Sequence, residues 1–379
     1  MDPAAPFEIF LSVAPGLEPQ LAAEAAGIGL PDPRITPGGV TTLGGWPDVW
    51  RANLHLRGAS RVLARIGAFR ALHLAQLDKR ARKFPWSDTL RPDQPLRIEV
   101  ATSRASRIYH AGAARARIAT AIRETLGAPI VDAGPDDPRE DALTLKVRID
   151  DDLATFSLDT SGAPLHRRGH KQAVNAAPLR ETLAALFLRA CGYTGTEPVL
   201  DPMCGSGTFP IEAAEIAARL PPGRTRSFAF ERLATFDPAA WAALRADIHP
   251  HPTPLRFHGT DRDTGAIAMS RANAARAGVT DLTDFSHAAI SDLRHPEGPP
   301  GLVMVNPPYG TRLGKTGQLR PLYAALGATL ATRFSGWRVG LVTTEPGLAH
   351  ATGLPFAPPG PPVPHGPLKI RLYQTAPLP

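Results

Sequence analysis

The 379-residue chain lacks any run near the ~18 apolar residues that a membrane span needs, although 43% of its residues are hydrophobic. It has two cysteines, Cys191 and Cys204, which match no zinc spacing and are too few for a disulfide scaffold. A reducing cytoplasm is the expected setting, with no metal and no membrane partner. The N-terminus, MDPAAPFEIF, has no basic stretch before its apolar residues, so it does not read as a signal peptide. Nor is there an internal repeat.

What is present is positive charge, unevenly spread. The net charge is +7, but residues 51–125 hold 16 Lys/Arg against 5 Asp/Glu, an excess of 11 that leaves the remainder at −4. A field concentrated in one N-terminal region is what a nucleic-acid partner requires. A solvated Arg-rich surface is the alternative.

Along the chain, FEIFLSV reads as a strand, followed by a turn at APG and a helix in LEPQLAAEAAG. A long helical pattern covers residues 46–77. The strand LRIEVAT leads into a helix over 109–126, then two strands, LTLKVRID and LATFSLDT, joined by a turn. This is a small α+β region ending near Thr160. Residues 161–178, SGAPLHRRGHKQAVNAAP, form a polar, basic connector. From Leu179 onward strand and helix alternate, which predicts a doubly wound, mostly parallel sheet.

The stretch LDPMCGSGT (200–208) lies between a strand and a helix. Gly205 and Gly207 let the backbone approach a ligand, and the helix N-terminus offers N–H groups. A dinucleotide fingerprint needs a third glycine where this chain has Pro210. The candidate phosphate loop ending Gly314-Lys315-Thr316 fails too, because Gly310 stands one residue too close. The next strand ends HGTDRD, placing Asp261 where a carboxylate can accept two hydrogen bonds from a ribose diol. Capping of the following helix is the alternative for Asp261, and more so for Asp263. Together these features fit S-adenosylmethionine as cofactor.

The loop NPPY follows the apolar strand GLVMV. Two prolines restrict the chain. Beside a sulfonium methyl, the Asn306 side-chain oxygen and the Pro307 carbonyl can each accept one N–H of an exocyclic amine. That turns its lone pair toward the methyl, a gain of positioning. Pro308 stiffens the loop, and Tyr309 can stack on a base that has left its helix. A rigid turn covering the sheet is the alternative.

DPMCGSGT followed by NPPYG resembles the THUMP-domain, class I S-adenosylmethionine-dependent RNA methyltransferases that modify guanine N2, bacterial 23S rRNA enzymes of the RlmL/YpsC type in particular. The resemblance extends over GLE (16–18), LDTSG (158–162), LHRRG (165–169) and PLRETLA (178–184). It implies a Rossmann-like methyltransferase domain with a seven-stranded, mostly parallel sheet, over 179–379. Before it the resemblance implies an α+β region: a ferredoxin-like part over 1–50 and a THUMP RNA-binding domain over 51–160, joined by a linker over 161–178. By position, Asp201, Pro202, Cys204, Gly205, Ser206, Gly207 and Thr208 match the cofactor loop, Asp261 the ribose ligand, and Asn306, Pro307, Pro308 and Tyr309 the catalytic loop. The family's acidic residue near the adenine is replaced by Ala289, for which Asp292 is the candidate substitute. The chain ends after one such domain, so one modification is expected. RNA, 23S rRNA or a large-subunit precursor, is the implied partner.

In the connector, Arg167, Arg168, His170 and Lys171 are candidate phosphate contacts, with an interdomain ion-pair hinge as the alternative. Arg104 and Arg107 are candidate RNA contacts in the THUMP-like part. Cys204 reads as a packing residue, since nothing near it in sequence would activate a thiol. A tRNA guanine-N2 enzyme, a DNA adenine-N6 enzyme and a non-catalytic RNA-binding assembly factor remain open.

Overall fold

The computed structural model describes residues 5–131, 142–172, 179–309 and 316–379. Residues 173–178 of the connector, and Gly310, Gly314 and Lys315, lie outside the described residues. The chain divides into two compact units: residues 1–13, 22–165 and 226–247 form one, and residues 14–21, 166–225 and 248–379 the other. No helix among the described residues is long and apolar enough to cross a membrane.

The first unit is built on β1 (Phe7–Ser12), residues 22–27 of α1 (Glu18–Gly27), β2 (Arg34–Thr36), β3 (Gly39–Gly44) and α2 (Trp46–His55). It continues through β4 (Arg61–Arg70), α3 (Leu74–Ala81), β5 (Leu96–Thr102), α4 (Ala111–Leu126), β6 (Ile130–Val131), β7 (Leu143–Asp150) and β8 (Leu153–Asp159). The strands form one eight-stranded sheet in the order β2-β3-β1-β4-β8-β7-β5-β6. No break falls near residue 50, where the ferredoxin-like part was expected to end; α2 runs across that position.

The expected helix over 46–77 is three elements. Glu24 stops α2, its carboxylate accepting the backbone N–H groups of Arg57 (2.6 Å) and Gly58 (2.9 Å). In β4, Val62, Ala64 and Ile66 are buried and alternate with half-buried Arg61, Leu63 and Arg65. That is the period of two that a strand requires. Arg, Leu and Ala are strong helix formers, and tertiary pairing with β1 and β8 overrides them here.

Phe156 on β8 is fully buried in an aromatic cluster with Phe69, Phe84 and Trp86, at centroid distances of 5.0, 5.1 and 5.3 Å. The LDTSG motif closes this unit structurally. Asp159 accepts the N–H of Ser161 (3.0 Å), and the Ser161 hydroxyl donates to the buried Asn53 (2.7 Å). The 226–247 segment packs within the same unit, with the Phe230 and Phe236 rings each 6.1 Å from Trp50.

From the connector onward come α5 (Glu181–Ala190), β9 (Val199–Asp201), α6 (Thr208–Ala217) and α7 (Pro238–Ala246), the last belonging to the first unit. Then follow β10 (Phe257–Asp261), α8 (Thr264–Ala277), β11 (Thr283–His287), β12 (Leu302–Val305) and α9 (Thr316–Arg333). β13 (Arg338–Thr343), α10 (Pro346–Ala351), β14 (Val363–His365) and β15 (Leu368–Gln374) complete it. The seven-stranded sheet has the order β11-β10-β9-β12-β13-β15-β14. The first five strands of that order are mutually parallel, and β15 runs antiparallel to both β13 and β14. This is the doubly wound, mostly parallel sheet the alternation predicts. β12 is buried at every position, as a central parallel strand covered on both faces must be.

Truncating the centre of the aromatic cluster, Phe156→Ala, should lower the stability of the first unit by about 3–5 kcal/mol, read as a shift in its urea transition. A loss under about 1 kcal/mol would contradict the packing described.

Candidate active site

β10, β9 and β12 are neighbours and parallel, so their C-terminal ends lie side by side. Each delivers one candidate group: Asp201 ends β9, Asp261 ends β10, and Asn306 follows β12. In open parallel sheets, ligands bind at this carboxyl edge.

The loop from Pro202 to Gly207 turns sharply into α6. Gly205 (φ +55°) and Gly207 (φ +81°) take left-handed conformations that disfavour other residues. A Cβ on Gly207 would stand 3.1 Å from Ile211, Phe285 and Ser270 alike. The loop is held from behind. The Ser270 hydroxyl donates to the Gly205 carbonyl (2.9 Å), and the Asn273 amide to the Ser206 carbonyl (3.0 Å). Cys204 is buried and its N–H bonds the Thr260 carbonyl (2.9 Å). Burial pushes its thiol far above the ordinary cysteine value, so it packs and does not attack.

Asp261 accepts the N–H of Gly205 on one oxygen and that of Asp263 on the other, both at 3.0 Å. The carboxylate is thereby aimed, with lone pairs left for two further donors. Capping of α8 falls instead to Asp263, whose side chain accepts from Gly265 (2.8 Å). Asp201 is 3% exposed and accepts the Met203 N–H (3.0 Å). Burial raises its carboxyl well above the usual range, and the neighbouring Asp261 charge adds to the rise.

On the far side of β9, the Asn306 side-chain oxygen is buried with no hydrogen-bond partner among the described residues. Such an atom is costly unless something satisfies it. The loop that carries it is pinned from below. The Tyr323 hydroxyl lies 3.2 Å from the Pro308 carbonyl and 3.3 Å from the Thr343 hydroxyl, and Tyr323 is fully buried. Pro307 is buried; Pro308 and Tyr309 are half-buried, and burial raises the Tyr309 phenol. Tyr309, Met203 and Ile290 are half-buried apolar side chains resting on one core cluster. The last two were not singled out from the sequence, because isolated apolar residues in loops carry no spacing signal. Asp292, the proposed substitute at the adenine edge, is exposed in a single 3-10 turn, as is Ala289 just before it.

The connector calls need correction. Arg168 is 2% exposed and paired with Glu212 and Glu215 of α6, so its guanidinium is not offered to a phosphate. His170 is buried, which lowers its pKa and keeps the ring neutral at physiological pH. Lys171 is half-buried beside Glu181, its side chain 9% exposed and its Nζ 3.7 Å from the carboxylate. Of the four candidates in this segment, Arg168, His170 and Lys171 turn their charge or ring into the second unit, and Arg167 is exposed. Arg104 and Arg107 are exposed on the β5–α4 loop of the first unit, alongside Tyr109 at 79% exposure.

The raised Asp201 pKa carries a sign for stability. The folded state holds this proton more tightly than the unfolded state, so Asp201 costs stability as pH rises from the unfolded value of about 3.8 toward the folded one. Asp201→Asn should therefore flatten the fall in stability with rising pH above that value. Parallel melting curves for the two proteins from about pH 4 to 8, differing only by a constant, would refute this.

Comparison with known proteins is consistent with this geometry. Residues 168–354 match the family model described as RMKL-like, methyltransferase domain, and residues 8–63 the RlmL ferredoxin-like domain. The chain is 34% identical over 367 residues to the ribosomal RNA large subunit methyltransferase K/L of Chromohalobacter salexigens, covering 92% of this chain and 50% of that protein. It thus spans about half the length of the curated relatives it matches. Among solved structures it resembles a Listeria monocytogenes protein described as a predicted N6-adenine-specific DNA methylase, with TM-score 0.85, 30% identity, and coverage of 97% and 96% of the two chains. The SMU.472 protein complexed with S-adenosylhomocysteine gives TM-score 0.84 at 26% identity, covering 99% of each chain. Both the site at the carboxyl edge and these similarities lead to one conclusion: the chain belongs to the RMKL-like family of class I, S-adenosylmethionine-dependent methyltransferases.

Proposed function

We propose that this protein methylates the exocyclic N2 amine of a guanine in RNA, with 23S rRNA as the substrate. The observation that carries the amine chemistry is the buried Asn306 oxygen at the carboxyl edge of the central strands, unpartnered among the described residues. The residues fit S-adenosylmethionine. The Gly205–Gly207 turn leaves room for close approach, the N-terminus of α6 supplies N–H groups, and the Asp261 carboxylate is aimed to accept a ribose diol. When bound, that cofactor supplies a methyl group made electrophilic by its sulfonium.

Asn306 has the corresponding task for the acceptor. Its Oδ1 takes one N–H of the amine and the Pro307 carbonyl takes the other, which turns the nitrogen lone pair out of the ring plane. Tyr323 holds the Pro308 carbonyl, so the loop resists rotation as the amine docks. An amide has no basicity to speak of, and none is needed, because the methylated nitrogen is acidic and releases its proton to water. Tyr309 provides a half-buried ring for the base to stack on. The choice of RNA is supported by the basic 51–125 region and by the names of the curated relatives. The choice of guanine N2 follows the resemblance drawn from the sequence.

Two measurements test this. Nucleoside mass spectrometry of rRNA, tRNA and DNA from a deletion strain should show loss of N2-methylguanosine from 23S rRNA. Loss from tRNA alone, or loss of N6-methyladenine from DNA, would replace the reading. Asn306→Ala should lower turnover by about a hundredfold or more through misorientation of the amine, with S-adenosylhomocysteine affinity unchanged. A near-normal rate would remove the orienting role.

A further inference from the structure

The buried charges of the connector are not used by the mechanism above, and they surround the glycine loop from behind. Lys171 Nζ donates to the Thr208 hydroxyl (2.9 Å) and to the Leu179 carbonyl (2.7 Å), and faces Glu181. Thr208 is the first residue of α6 and Glu181 the first of α5. One ammonium therefore ties two helix starts together. The residue before it is also held. The Arg276 guanidinium donates to the His170 carbonyl (2.7 Å) and to the Asn273 side-chain oxygen. Asn273 in turn bonds the Ser206 carbonyl. The connector thus grips the loop at both ends, through Thr208 on one side and through Arg276 and Asn273 at Ser206 on the other.

We infer that Lys171 is a positioning residue for the cofactor, setting the first turn of α6 through Thr208 so that the Gly205–Gly207 backbone is shaped before the ligand arrives. This rests on the proposed use of S-adenosylmethionine. The physical case is that of preorganisation: α6 begins directly after two left-handed glycines, a backbone that no side chain of its own restrains. A half-buried ammonium with three oxygens around it restrains that turn, and the same bonds explain why Lys171 is largely withdrawn from solvent. Burial lowers the Lys171 pKa while the Glu181 charge opposes that, so the pair belongs together.

The test measures S-adenosylhomocysteine binding calorimetrically for the full chain, Lys171→Met, Thr208→Val and the double variant, alongside binding of 23S rRNA fragments. Lys171→Met should weaken S-adenosylhomocysteine about tenfold and raise KM for S-adenosylmethionine more than it lowers kcat, with RNA affinity unchanged. Adding Lys171→Met to Thr208→Val should cost nothing further, since the lysine acts through that hydroxyl. A purely structural role would lower the melting temperature without this non-additivity. Should Lys171→Met not fold, Thr208→Val, which removes the hydroxyl that the lysine holds, tests the same link with an expected loss of severalfold. Binding within twofold of wild type in the folded variants overturns the inference, as does a loss confined to RNA. If the wild-type chain itself binds no S-adenosylhomocysteine, the proposed cofactor fails, an outcome distinguishable because it appears without any substitution.

Discussion

The buried ion cluster around Arg168 is the constraint on which the catalytic unit turns. Arg168 contacts Glu212 and Glu215, both on α6, and all three side chains are at most 1% exposed. Arg224 pairs with Glu215 from the other side at 2.6 Å. Two arginines and two glutamates balance within one pocket of the fold. A buried charge left without its partner costs about 3–5 kcal/mol, so the connector has little freedom once α6 is in place. The helix that begins at the glycine loop is thereby fixed in azimuth, with Ile211, Ala213 and Ala214 directed into the core.

That fixed helix makes the three strand ends useful. β9 lies between β10 and β12, so the loop after β9 has the Asp261 carboxylate on one side and the Asn306 amide on the other. The three groups differ in how they are satisfied. Asp261 is bonded by two backbone N–H groups, and Asp201 is buried and disposed to hold its proton. Of the three, it is Asn306 that keeps a buried oxygen with no hydrogen-bond partner among the described residues. A buried amide oxygen left without a partner beside these strand ends is costly until something satisfies it.

Much of this was legible in the chain. The strand–helix alternation after Leu179 predicts the parallel sheet, and the strands LRIEVAT and LTLKVRID lie where their composition places them. The glycine turn is recognisable because only glycine tolerates positive φ at low cost. β4 was not legible, since its Arg, Ala and Leu residues favour a helix when read locally and only pairing with β1 and β8 makes them a strand. Nor was the role of the connector: HRRGHK offers candidate phosphate contacts until Glu212 and Glu215, 44 and 47 residues from Arg168, are seen to pair with it and Glu181 to face Lys171.

By itself the sequence determined the order of elements, the glycine turn and the types of side chain at the strand ends, because these depend on residues a few positions apart. The tertiary structure decided which charges face solvent and which are buried, and which of the two β10-end carboxylates caps a helix. Those outcomes depend on partners brought together from 44 and 47 residues away for Arg168 and 56 for Asp261. Electrostatic energy depends on distance in space and on burial, and neither can be read along a chain.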